Sequence, residues 1–199
     1  MLAALIILLI VCIILLIIYN RFAHKQTNVV SNNYAERFRN LYNERNNLQN
    51  QYVLDVTNNT ATAVVVKNKI DVNQQQLVDT FSKMYGNSKA NDLNNILTND
   101  NNLLYEVIDK ARYKQPNERL VDEWYNNGGK FSSFLKEAEN NFDESKLHNM
   151  VKDKMDENVR YFHVVITNGN NKVVNSMKHN ELSDYMYKTF VDQKHNWVN

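Results

Sequence analysis

From Tyr34 to Phe190 apolar side chains return every three or four positions, the step at which one face of an α-helix repeats. Tyr34, Phe38, Leu41, Tyr42, Leu48, Tyr52 and Val56 form the first stripe and predict an amphipathic helix. Thr57-Asn58-Asn59 interrupts it and offers N-cap side chains to a second helix over 60–85. There Ile70, Leu77, Phe81 and Met84 keep the helical step and outweigh the strand propensity of Val64-Val65-Val66. Gly86 stands where a left-handed C′ residue is expected. A third helix is predicted over 88–113 from Ala90, Leu93, Ile96, Leu97, Leu104, Val107, Ile108 and Ala111, its stripe interrupted by Asp100 and Asn101. Pro116 suits the first turn of a short helix through Tyr125, and Gly128-Gly129 divides that piece from another over 131–139. Asp143 is a candidate N-cap for a helix carrying Leu147, Met150, Val151, Met155, Val159, Phe162 and Ile166, which stops at Asn168-Gly169. A last helix over 172–193 uses Val173, Met177, Leu182, Tyr185, Met186 and Phe190. Short polar connections between long helices make neighbours antiparallel, so residues 34–199 are expected to fold as an all-α, up-and-down helical bundle.

The N-terminus follows a different pattern. Met1 to Tyr19 holds no charge and no polar side chain before its closing tyrosine, and with the next residue or two it would span roughly 28–30 Å as a helix, close to the thickness of a bilayer core. It reads as a transmembrane anchor. A cleaved signal would want a basic n-region, a shorter apolar core and a small-x-small site. A lipoprotein reading of Leu9 to Cys12 meets Val11 where a small residue is wanted, and a soluble core helix would not be apolar on every face. Residues 20–33 form a polar connector without Gly or Pro. Arg21, His24, Lys25, Arg37 and Arg39 follow the span and place the bundle on the cytosolic-equivalent side. On that topology the one sequon, Asn58-Asn59-Thr60, stays unmodified, whereas a bundle outside the cell would be glycosylated there. Cys12, the single cysteine, excludes an intrachain disulfide.

Composition narrows the function more than it names it. A net charge of +1 with both signs interspersed leaves no electrostatic footprint for nucleic acid. Asparagine fills about one position in six, against four glycines and one proline, a bias that points to an AT-rich coding genome. None of the five histidines belongs to a Glu-x-x-His pair, the unit of di-metal bundle sites, and Glu144 with His148 is an ordinary one-turn pair. Gly128-Gly129 lacks the Lys-Ser/Thr continuation of a phosphate loop, no Gly-x-Ser-x-Gly elbow occurs, and Cys12 lies inside the apolar run. No catalysis, cofactor or metal is expected.

Asn73-Gln74, Met84-Tyr85-Gly86, Leu93-Asn94-Asn95-Ile96-Leu97, Glu123-Trp124-Tyr125-Asn126-Asn127 and Phe134-Leu135 occur here in an order and spacing that resembles a family of small helical-bundle proteins of bacteria and large DNA viruses. Members are often mislabelled as acetylglutamate kinases or glycosyltransferases, and the resemblance covers roughly Leu41 to Asp192. It implies a helical bundle and carries no activity with it. The family tends to have histidines on three helices, and Arg45, Asp100 and Lys154 stand at the matching positions here, so a site built on imidazole ligands is lost.

Polar residues on the core-facing stripes, Arg45, Gln49, Gln74, Asp100, Asn101 and Lys154, are candidates for a buried network that fixes helix register. Tyr113, Tyr161, Tyr187 and Trp197 are candidate interface residues, because Tyr and Trp dominate binding hot spots. The resulting expectation is a single-pass membrane protein with a structural or docking role. The composition and the viral members of the similar family make it a minor capsid or inner-membrane-associated component of a large DNA virus. Its partners would be lipid and other capsid or membrane proteins. The alternative is a membrane-tethered bundle binding a small ligand or metal at a bacterial or organellar membrane.

Overall fold

The computed structural model describes residues 2–168 and 178–192, and the side chains of these apart from 2–12, 20–32, 168, 178 and 179. They form six helices: α1 (Leu2–Thr57), α2 (Thr62–Tyr85), α3 (Asn87–Arg112), α4 (Glu118–Ala138), α5 (Glu144–Asn168) and α6 (Lys178–Asp192). No strand occurs among the described residues. Each helix packs on the next, and α6 returns to α1, so the bundle closes on itself, with α5 also touching α1 and α3.

Side-chain pairs give the directions. Phe38 meets Phe81 while Leu41 O accepts from Asn73, and Gln74 meets Asn101 while Tyr85 lies under Lys89, 5.6 Å from its ring. Trp124 reaches Asp100 and Asn127 reaches Ile96, and Tyr125 pairs with Asp156 while Ser132 lies beside His148. In each pair of helices one number rises as the other falls, which is the antiparallel, up-and-down order.

The core begins at one end with a group of phenyl rings. Phe38, Phe81, Phe134, Phe142 and Phe190 are no more than 9% exposed, and Phe81 lies 5.7 Å from Phe38, 5.4 Å from Phe134 and 6.4 Å from Phe190. Further along, Tyr42 stacks on Phe131 and Trp124 on Phe162, at 5.9 and 5.7 Å. Offset and edge-on ring pairs of this kind add about 0.5–1.5 kcal/mol each beyond burial.

Several local expectations change. α1 does not begin at the bundle but runs unbroken from Leu2 through the connector to Thr57, and at about 1.5 Å per residue it is roughly 84 Å long. Residues 13–19 are exposed on every face, Ile13 to Ile18 by 49–59%. Among the described residues no helix is long and apolar enough to cross a membrane. The anchor expected over 1–19 falls partly outside them, since the side chains of residues 1–12 are not among those described. The stretches 169–177 and 193–199, which include the expected start and end of the last helix, also lie outside the described residues.

Gly128-Gly129 does not divide two short helices, because both glycines sit inside α4. A Cβ on Gly128 would come within 2.2 Å of Met155 Sδ and 3.3 Å of Val151 Cγ1, so the glycine lets α4 approach α5 rather than ending it. At Gly129 the nearest group is His148 Cε1 at 3.9 Å, an ordinary contact. Gly129→Ala is therefore expected to raise the unfolding free energy by about 0.5–1 kcal/mol through helix propensity. The same change at Gly128, which must displace Met155, loses that gain, and urea unfolding of the two variants checks the difference.

The caps also differ. α2 starts after Ala61 with no side-chain cap, because Asn59 takes a positive φ of 55° and Thr60 turns back to bond Asp55 O. Gly86 has the expected positive φ, 84°, with an extended ψ of 166° in place of the left-handed value. Pro116 precedes α4 by two residues, with Asn117 at the N-cap. Asp143 does cap α5: its Oδ1 accepts from the Lys146 N–H at 2.9 Å.

Candidate functional site

The middle of α1 places polar residues where a core stripe would be apolar. Arg45, Asn46, Gln49 and Asn50 are all at most 5% exposed, while Leu48, Tyr52 and Val56 are only half-buried. A guanidinium at this depth is tolerated only with a counter-charge and hydrogen-bond acceptors. α3 supplies both. Arg45 Nη2 donates to Asp100 Oδ2 at 2.8 Å, Asn101 Oδ1 at 2.6 Å and the Leu97 carbonyl at 3.2 Å.

Asp100 is the hub. Its Oδ2 also accepts from Gln49 Nε2 at 3.0 Å, and its Oδ1 from the Trp124 indole N–H at 2.6 Å. Burial pushes the carboxyl's pKa up, but the charges of Arg45 and Lys154 and the bonds from Arg45 and Trp124 outweigh it and hold Asp100 below the ordinary carboxylate range.

The network continues through Asn101, whose Nδ2 donates to Gln74 Oε1 at 2.8 Å. Gln74 Nε2 in turn donates to Asn94 Oδ1 and Thr98 Oγ1, both at 2.8 Å. Asn127 joins α4 to α3 by donating to Ile96 O at 3.1 Å and accepting from Asn99 at 2.9 Å. Of the six polar residues singled out in the sequence, five are therefore hydrogen-bonded into one cluster. The sixth, Lys154 on α5, sits 4.9 Å above the Tyr42 ring and acts on Asp100 through its charge.

Arg45, Asp100 and Lys154 line a cavity of about 30 Å³, together with Tyr42, Gly128 and Met155. Arg45 Nη1 and Gln49 Oε1 are buried without a hydrogen-bond partner among the described residues.

Elsewhere the surface offers less chemistry. An open groove at the α4–α5 connection contains Ser132, Lys136 and His148. The Ser132 hydroxyl donates to Gly129 O at 2.8 Å and lies 3.3 Å from His148 Nδ1, so its proton is engaged by a carbonyl and the pair is not a nucleophile with its base. No group of three or more His, Cys, Asp or Glu side chains able to hold a metal ion occurs among the described residues.

The tyrosines considered as interface residues separate. Tyr113 is 60% exposed, with the Arg112 guanidinium 5.4 Å from its ring. Tyr161 and Tyr187 are half-buried against the core, Tyr161 on Phe162 and Tyr187 beneath Arg39 at 4.5 Å. Trp197 lies outside the described residues.

Sequence reasoning passed over Trp124 and Asn127 as network members. An indole N–H in an apolar stripe needs an acceptor, which was the available signal for Trp124. Asn127 had no such signal in a chain so rich in asparagine. Compared with models of known protein families, with characterised proteins and with solved structures, the chain matches none.

Proposed function

We propose that the chain is a single-pass, membrane-anchored structural or docking protein that acts without catalysis. The observation that carries this reading is the continuity of α1: six aliphatic side chains, Ile13 to Ile18, stand exposed on all faces of a helix that runs without a break into the bundle core. Aliphatic surface exposed all round a helix is unfavourable in water at about 25 cal/mol per Å² and favourable in lipid. The unbroken helix across residues 20–33 would act as a stiff spacer of roughly 21 Å between bilayer and bundle. The basic residues after the apolar run put the bundle on the cytosolic-equivalent side.

The polar cluster supports an architectural role. Its donors and acceptors are used between α1, α2, α3 and α4, which fixes the register of those helices. Contacts to other proteins would then be made from the outer face, where Tyr113 and the α2 valines Val64, Val65 and Val72 are 52–67% exposed. The asparagine bias and the resemblance to a family with viral members favour a virion setting. There the anchor would lie in an inner membrane of a large DNA virus and the bundle would face the capsid shell.

Flotation with liposomes tests the anchor. The full-length chain is expected to float with vesicles and to resist alkaline carbonate extraction, and a chain lacking residues 2–19 is expected to stay in the dense fraction with its helical circular dichroism intact. Flotation of the shortened chain, or carbonate release of the full one, overturns the reading.

A further inference from the structure

We propose that the open cleft between the ends of α3 and α5 and the start of α4 binds a small amphiphilic carboxylate, an aliphatic body with one anionic head, and that Lys114 is the partner of the head. The site lies at the end of the bundle away from the phenyl cluster and does not depend on the docking role. Its volume is about 280 Å³. That is close to the lower bound of small-molecule clefts, roughly 300–1,000 Å³, which are lined mostly by apolar groups with a few polar ones that orient the ligand.

The floor of the cleft is apolar. Val107 and Phe162 are buried there, and Val121, Val159 and Ile166, half-buried, add aliphatic surface that the bundle leaves partly open to solvent. Covering such surface with a hydrocarbon body is favourable in proportion to the area removed from water. The mouth carries one sign of charge. Lys114 and His163 line it and are exposed, whereas Asp109, Glu118 and Asp122, on the same turns of α3 and α4, are not among the lining side chains. Neither Lys114 nor His163 makes a side-chain hydrogen bond or ion pair with a described residue, and the Asn117 side chain at the same mouth does not cap α4.

Lys114 also has a backbone conformation that lysine rarely takes. It follows the C-cap of α3 with a φ of 54°, its N–H bonding Ala111 O at 3.1 Å and the next N–H, of Gln115, bonding Lys110 O at 2.9 Å, the paired bonds of a Schellman cap. Glycine or asparagine usually fills that place, because a Cβ is strained at positive φ. The cap needs only the backbone, and the lysine side chain gives the bundle no hydrogen bond, ion pair or ring contact in return. Strain of this kind is characteristic of ligand-holding positions, and Lys114 borders the cleft. A hydrocarbon body on the floor brings its head to the mouth, where a carboxylate complements Lys114, a neutral head leaves the charge unmatched and an ammonium opposes it.

The test uses the full-length chain in phosphatidylcholine nanodiscs at neutral pH, read by methyl nuclear magnetic resonance. Octanoate is expected to shift the methyls of Val107, Val121, Val159 and Ile166 saturably, while Ile70, which does not line the cleft, stays in place. Octylammonium, with the same tail, and acetate, with the same head, are expected to bind several-fold more weakly. Lys114→Gly, which suits the left-handed position, is expected to unfold at a higher temperature than the natural protein and to bind octanoate about two- to fivefold more weakly, the worth of one exposed ion pair. Absence of saturable shifts with octanoate overturns the proposal. So does octylammonium binding as tightly, which reduces the cleft to an unselective apolar patch, or acetate binding as tightly, which reduces it to an adventitious ion only. Unchanged octanoate affinity in folded Lys114→Gly overturns it as well. The measurements on the natural protein decide the matter even where the variant fails to fold.

Discussion

Replacing Asp100 with alanine is expected to lower the unfolding free energy by about 3–5 kcal/mol, the range for breaking a buried ion pair from one side. The change leaves Arg45, at 1% exposure, without its counter-charge, and removes the acceptor of Gln49 Nε2 and Trp124 Nε1. Against a typical domain stability of about 5–15 kcal/mol, that is a large share. Asp100→Asn keeps the shape and an acceptor for the indole, and is expected to cost less, about 1.5–3 kcal/mol, the worth of hydrogen bonds to a charged group. Joint replacement of Arg45 by Met and Asp100 by Leu is expected to recover most of the loss, because it removes both charges together.

The acid dependence of the same variants carries an independent sign. Asp100 lies below its ordinary range in the folded chain, so in acid the unfolded chain takes up its proton first. The stabilisation is complete above the unfolded value of about 3.9 and is lost as pH falls through the lower folded value. Glu139 acts oppositely: burial raises its pKa despite bonds from Asn141 and Tyr85, so its contribution weakens stability as pH rises through the raised value. Comparison with Asp100→Asn cancels Glu139. The acid loss below about pH 4 should be shallower in that variant than in the natural protein. A variant with an unchanged acid limb, or an alanine variant within about 1 kcal/mol of natural stability, would mean that solvent reaches Arg45 readily and that the cluster does not hold the helices in register.

Asp100 and Asn101 also show how far the pattern along the chain could be read. Their interruption of an otherwise apolar stripe marked α3 as carrying something polar toward the core, and Arg45, Gln49 and Gln74 sat on facing stripes in the same way. Helix order was legible for the same reason, since the three- and four-residue step survives wherever a helix covers a core, but the count was not: α4 was read as two short helices, and α1 as an anchor, a connector and a bundle helix. The depth of α1's polar face was not. Asn46 and Asn50 are buried beside Arg45 and Gln49, although Leu48, Tyr52 and Val56 made the more persuasive stripe. When one face is chosen by ion pairing, hydrophobic periodicity alone points slightly around the helix.

Gly128 was misread because glycine has two uses. Local propensity makes it a helix terminator, whereas close packing of α4 on Met155 and Val151 makes it a requirement, and only the neighbouring helix distinguishes the two. The cavity and the unengaged Nη1 of Arg45 depend on side-chain geometry across four helices, which no spacing along a single chain encodes. Tyr161 and Tyr187 likewise belong to half-buried surface because Phe162 and Arg39 happen to cover them.

Phe81→Ala is expected to cost about 3–5 kcal/mol, with a lower urea midpoint and an unchanged slope. Phe81 is fully buried on α2 and its ring approaches Phe38 of α1, Tyr85 of α2, Phe134 of α4 and Phe190 of α6. Removing it opens a void shared by four helices, which no one of them can fill by a small shift. Phe81→Leu retains most of the volume and is expected to cost less than about 1.5 kcal/mol. If leucine costs as much as alanine, ring orientation rather than volume holds this end together. Within the bundle the loss should be felt first by α6, whose described residues hold the core through Leu182, Met186 and Phe190. Amide exchange in α6 of Phe81→Ala should therefore accelerate more than in α3, where the Arg45–Asp100 cluster is untouched. Equal acceleration in both helices would indicate that the aromatic end and the polar middle open as a single cooperative unit, and that a partner docking at either would sense the other.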